Sequence, residues 1–104
     1  MVNVTGYINK GKDAAAKGNL ATLLVSGAVF FDLPAATYTG FGVSADFNKV
    51  KNALTAAGYT MTPLESSTAW CAHVPLKSIT GNYCVDSSGN KKEGTTICTA
   101  QACN

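Results

Sequence analysis

Five side chains in the last third of this sequence could act as nucleophile, base or soft-metal ligand: Cys71, His73, Cys84, Cys98 and Cys103. A thiolate beside an imidazole is the minimum for nucleophilic catalysis, and Cys71-Ala72-His73 puts the two on one face of an extended segment. The same set could ligate zinc. Structural zinc sites use repeated close cysteine pairs, whereas here only Cys98 and Cys103 are near in sequence, with four residues between them. An even count of cysteines in a short, charge-poor chain rich in Thr, Ser and Gly instead predicts two disulfides and an oxidising compartment. Cys71 is then oxidised, and His73, the single histidine, is expected to be a solvated residue on the outer face of a strand.

The other polar residues point to no reaction. Asp86, followed by Ser87 and Ser88, has the form of a turn initiator. Asp13, Asp32, Asp46, Glu65 and Glu93 are scattered through different segments, so neither a carboxylate pair nor a calcium loop is formed. The glycines make no phosphate-binding loop. No enzyme, cofactor or metal is expected. Lys10, Lys12 and Lys17 could make a basic stripe, but eight Lys, no Arg and a net charge of +2 are weak for a nucleic-acid binder, so they are assigned to a solvated helix face.

The elements that must position these residues follow from the pattern of the whole chain. Its 104 residues suffice for one domain, and 46% hydrophobic residues supply a core. No uninterrupted apolar run reaches the roughly 18–20 residues of a bilayer span, and no charged-then-apolar leader follows Met1, so a soluble chain, exported with its signal removed or replaced, is expected. Residues 5–31 read as one long helix, with Leu20, Leu23, Leu24, Ala28 and Phe31 on a buried face and Val25, Val29 and Phe30 thickening it. Its first half, around Tyr7, Ile8 and Ala14-Ala15-Ala16, has little to bury and is expected to project. Gly6, Gly11, Gly18 and Gly27 each cost about 1 kcal/mol against Ala, so packing must hold this helix, and Pro34 marks its end.

Residues 32–58 read as a connecting loop with aromatic anchors Tyr38 and Phe41, then a second helix over Ala45 to Ala57. Ser44 caps it, Phe47, Val50, Leu54 and Ala57 are its buried stripe, and Gly58 follows it. Residues 59–104 change to a period of two. A first strand, Tyr59 to Thr62, ends at Pro63. Trp70, Ala72, Val74 and Leu76 alternate with Cys71, His73, Pro75 and Lys77 in a second, and Tyr83 to Asp86 returns antiparallel. If Lys77 and Asn82 flank the turn, Val74 faces Val85 and Leu76 faces Tyr83. Cys71 and Cys84 then lie four positions apart on the outer face, too far to bond to each other. Each captures one of Cys98 and Cys103 and staples an irregular tail over the sheet, with the pairing left open.

The whole is α+β: a long N-terminal helix packed on a small antiparallel sheet, with a disulfide-stapled C-terminal tail. It resembles a bacterial type IV pilin or pseudopilin. The similarity lies in Gly18-Asn19-Leu20-Ala21-Thr22-Leu23-Leu24 running into Phe30-Phe31, like the end of a pilin spine helix. It lies also in Trp70 through Val74-Pro75-Leu76-Lys77-Ser78 and Tyr83-Cys84-Val85-Asp86-Ser87-Ser88-Gly89, like a pilin head hairpin. The resemblance implies a structural subunit of a surface filament serving adhesion, motility or DNA uptake. Its partners would be copies of itself, the pilus assembly machinery and, through an apolar N-terminal segment, the inner membrane. That segment is absent here, so Met1 is expected to mark a spine that has been cut back. Tyr7, Ile8, Ala14 and Ala15, on the projecting half-helix, are the expected assembly contacts. The alternatives are a pseudopilin of type II secretion, disfavoured because only Asp86 and Glu93 stand near the C-terminus where a calcium site would need clustered acids, and a small secreted disulfide-rich binding domain.

Overall fold

The computed structural model describes residues 4–32 and 37–103. Helix α1, Val4–Phe31, is followed by a 3-10 turn, Phe41–Val43, and helix α2, Ala45–Ala56. Six strands follow: β1 Thr62–Glu65, β2 Trp70–Pro75, β3 Asn82–Asp86, β4 Lys91–Gly94, β5 Cys98–Thr99 and β6 Ala102–Cys103. The first four make one antiparallel sheet in the order β1-β2-β3-β4, and β5 and β6 form a separate two-stranded ribbon. The α+β class and the helix-on-sheet arrangement are as the sequence implies. Pro34 lies outside the described residues.

The alternation in β2 places Trp70, Ala72 and Val74 against the helices, opposite Val85 and Tyr83 of β3. Leu20 and Leu23 of α1 are fully buried there, and each such side chain contributes about 2 kcal/mol. Phe41 sits where the elements meet, edge-on to Phe47 of α2 and Trp70 of β2, with ring centroids 5.1 and 5.2 Å away. Gly27 is where α1 lies against the Trp70 side chain. A Cβ added there would lie 2.7 Å from Trp70 Nε1. Ser44 caps α2 by accepting from the Phe47 amide, and Gly58 follows the helix with φ of +89°. The turn before α2 is tied down by Glu65, whose carboxylate accepts from the amides of Gly40 and Gly42.

Several expectations are corrected. The buried stripe of α1 is Asp13, Ala16, Leu20, Leu23 and Gly27, while Ala28 and Phe31 turn outward. Ala57 is exposed, because α2 has ended before it. The first strand starts at Thr62 and runs through Pro63, which is tolerated because β1 is a sheet edge. The β2–β3 register pairs Val74 with Tyr83 and Ala72 with Val85, two residues from the expected one. Cys71 lies opposite Asp86, so Cys84 is two positions along that face, not four. The tail is a ribbon, not irregular, and Lys91–Gly94 adds a strand that sequence pattern did not indicate. Within Gly6–Phe31 the first helix holds an 18-residue stretch that is, by length and composition, apolar enough to cross a membrane, with mean hydropathy 1.4. Its Gly, Ala, Ser and Thr residues interrupt any apolar run without lowering that average far.

Candidate functional site

The cysteine–histidine cluster is a structural device. All four cysteines are paired, Cys71 with Cys98 and Cys84 with Cys103. Both bridges rise from the outer face of the β2–β3 pair and hold β5 and β6 against it, with Leu64 packed alongside. His73 lies on that face but is not solvated as expected. It is half-buried, and its Nδ1 accepts a hydrogen bond of 3.1 Å from the Cys98 amide. Burial lowers its pKa from the usual 6.5, which keeps it a neutral acceptor. Asp86 is the turn initiator the sequence suggests, accepting from the amides of Ser88 and Asn90. It also accepts from the Cys103 amide at 2.9 Å, which the sequence did not foretell. Burial would raise its carboxyl, but the amide of Cys103, with Asn90 and Ser88, outweighs it and holds the pKa below the usual value. The ribbon is thus keyed at both strands, by His73 and Asp86. Among the described residues no group of three or more His, Cys, Asp or Glu could hold a metal ion.

Asp13 is the strongest electrostatic feature, and it too is structural. It is 3% exposed, so α1 does not begin to project until residues before it. Its two carboxylate oxygens accept from the amides of Lys77 and Ser78 at 2.9 and 2.8 Å, and from the hydroxyls of Ser78 and Tyr59. Burial alone would raise its pKa. The hydrogen bonds from Ser78, Tyr59 and the Lys77 amide prevail and bring it down to about 2. The same contact, after burial, raises the Tyr59 phenol. One carboxylate thereby bolts the helix to the turn after β2.

What remains is the outer face of α1. Ile8, Gly11, Ala15, Gly18, Thr22, Val25 and Val29 recur at alternating steps of three and four, and all seven are exposed. That is the spacing of a helix-pairing seam. Tyr7, Ile8, Ala14 and Ala15, the four expected contacts, lie exposed at its N-terminal end, Tyr7 by 68%. From Ala14 to Phe31 no exposed residue of the helix carries a charge. Lys17 is drawn to the body side, where it pairs with Glu93 of β4 at 2.8 Å. A water-facing helix side is normally charged, and this one is bare over that whole length. Its two glycines sharpen the point. A Cβ at Gly11 or Gly18 would meet nothing within 4 Å, so nothing in the chain's own packing asks for glycine there. In helix pairs, small residues at such spacing let backbones approach closely. Val25 and Val29, expected in the core, are exposed; the alternating three-four step is the sequence signal that puts them outside.

Compared with known protein families, curated protein sequences and solved structures, the chain matches none of them.

Proposed function

We propose that this chain is a structural subunit of an extracellular filament of the type IV pilus kind, assembled by packing the outer face of α1 against other copies. The observation that carries this reading is the bare seam from Ile8 to Val29, with Gly11 and Gly18 in it. Each glycine costs a helix about 1 kcal/mol against Ala, and a close helix–helix contact is what would offset that loss. The long helix supports the same role: at 28 residues it is about 42 Å long, in a molecule 56 Å in its longest dimension. A pilus subunit is favoured over a secretion pseudopilin because Asp86, one of two acids near the C-terminus, is committed to the amides of Ser88, Asn90 and Cys103. Partners on this reading are further copies, the assembly machinery and the inner membrane before assembly.

The test is the protein content of filaments sheared from source cells. Mass spectrometry should find this chain as a stoichiometric component, with α1 joined to an apolar N-terminal segment. A filament fraction without it would discard the reading.

A further inference from the structure

The charges of α1 are placed against its own dipole. Its first turn holds no acid and its last turn no base, while Lys10 and Lys12 lie in the N-terminal half and Asp32 follows the C-terminus. A helix dipole favours the reverse order. Among the described residues the one ion pair is Lys17 with Glu93, and Lys10, Lys12, Asp32 and Asp46 are exposed and make none there. The two ends of the helix are therefore complementary to each other and cannot reach each other: positions 10 and 32 are about 33 Å apart along the axis.

At the acidic end there is also a receptacle. Between the last turns of α1 and the start of α2 lies a groove of about 150 Å³, walled by Val29 and Ser26, floored by Phe30 and Phe41, and rimmed by Ser44 and Asp46. Apolar cavities of about this size admit a single benzene-sized ring. At the basic end Tyr7 presents such a ring, 68% exposed, and Lys10 stands one helical turn beyond it on the same side. A tyrosine suits a site with an apolar floor and a polar rim, because its ring can be buried while its hydroxyl keeps a partner.

Building on the filament reading, we propose that Tyr7 of one copy seats in the α1–α2 groove of a second copy, with Lys10 meeting Asp46 at the rim. Lys49 stands beyond Asp46 in the neighbouring hollow, so the incoming lysine approaches from the Val29 side. The contact joins unlike patches at opposite ends of one helix. Repeated in parallel with a stagger of about three heptads, it generates an open chain of copies, which is what a heterologous interface that does not close produces.

The experiment uses the full chain with p-benzoylphenylalanine in place of Tyr7, as an equal mixture of isotopically light and heavy protein irradiated at high concentration. The expected product is a mixed-isotope cross-link from position 7 to residues 26–30 or 41–46 of another copy. Lys10→Glu and Asp46→Lys should each lower its yield at least five-fold, and the double variant should restore it; both positions are exposed, and circular dichroism of each variant checks that α2, whose first turn holds Asp46, still forms. Cross-links confined to Gly11–Gly18 of the neighbour, or insensitive to both charge reversals, overturn the groove contact while leaving a filament possible. A groove cross-link that stops at dimers upholds the contact and overturns the filament. No intermolecular product at all overturns the contact.

Discussion

The two sides of α1 obey different rules although they share one backbone. On the inner side every residue has an evident reason in the chain itself: Asp13 bolts the β2 turn, Ala16, Leu20 and Leu23 fill the core, and Gly27 makes room for Trp70. On the outer side the residues are equally regular but have no such reason, since Gly11 and Gly18 face open space and Val25 and Val29 face water. The difference teaches how to separate residues chosen for the fold from residues chosen for something outside it. A glycine that a neighbour requires and a glycine that nothing requires carry opposite information. Substitutions on the two sides should therefore move different observables.

The largest expected effect is on the inner side. Asp13→Ala orphans the amides of Lys77 and Ser78 and the Tyr59 hydroxyl, and should cost about 4 kcal/mol in chemical denaturation. A loss below about 1 kcal/mol would mean that water replaces the carboxylate freely. Next is Gly27→Ala, expected to destabilise by about 2–3 kcal/mol, because the new methyl meets a Trp70 ring that is itself packed on Phe41. Unchanged stability there would show that the helix can shift away from the sheet.

Acid should reproduce part of the Asp13 loss without mutation. The Asp13 pKa is held at about 2 in the fold against 3.8 for the free side chain, so the unfolded chain binds the proton more readily. The stabilisation, about 2 kcal/mol, is complete above pH 3.8 and is lost as pH falls toward 2. Denaturation midpoints at pH 5 and pH 2 should differ more in the parent than in Asp13→Asn, which keeps only the smaller acid loss from Asp86 and the other carboxylates.

The smallest effect, and of opposite sign, belongs to the outer side. Gly18→Ala should stabilise the isolated chain by about 1 kcal/mol, since the added Cβ meets nothing and helix propensity improves. The same change should weaken association between copies. A substitution that left both stability and association untouched would remove the distinction between the two faces.

What was legible in the sequence follows from how each element is held. The alternation of Trp70, Ala72 and Val74, the Ser44 cap and Gly58 announce themselves because burial and backbone geometry demand those residue types locally. β4 is Lys-Lys-Glu-Gly, with no apolar period, and exists because β3 offers it an edge. The β5–β6 ribbon is two residues wide on each side and is held by sulfur, His73 and Asp86. Asp13 was invisible as an anchor because two of its partners are main-chain amides 64 and 65 residues away, which leave no mark in residue type. The register missed by two because the turn after β2 starts one residue earlier than its flanking residues suggested: the Leu76 amide donates to the Gly81 carbonyl, so Leu76 and Gly81, not Lys77 and Asn82, close it.

The interleaving of the two disulfides has a consequence for survival outside a cell. Cys71–Cys98 and Cys84–Cys103 overlap along the chain, so every peptide bond from residue 71 to residue 103 lies inside at least one covalent ring. A protease that cuts once in this third of the molecule releases nothing: the fragments should run as one species until a reductant is added. A cut in the connection between α1 and α2 has no such safeguard and leaves the helix attached by packing, the Asp13 bolt and the Lys17–Glu93 ion pair. The C-terminal third is thus the part hardest to shed, while the helix proposed to carry assembly is joined to the rest outside any covalent ring.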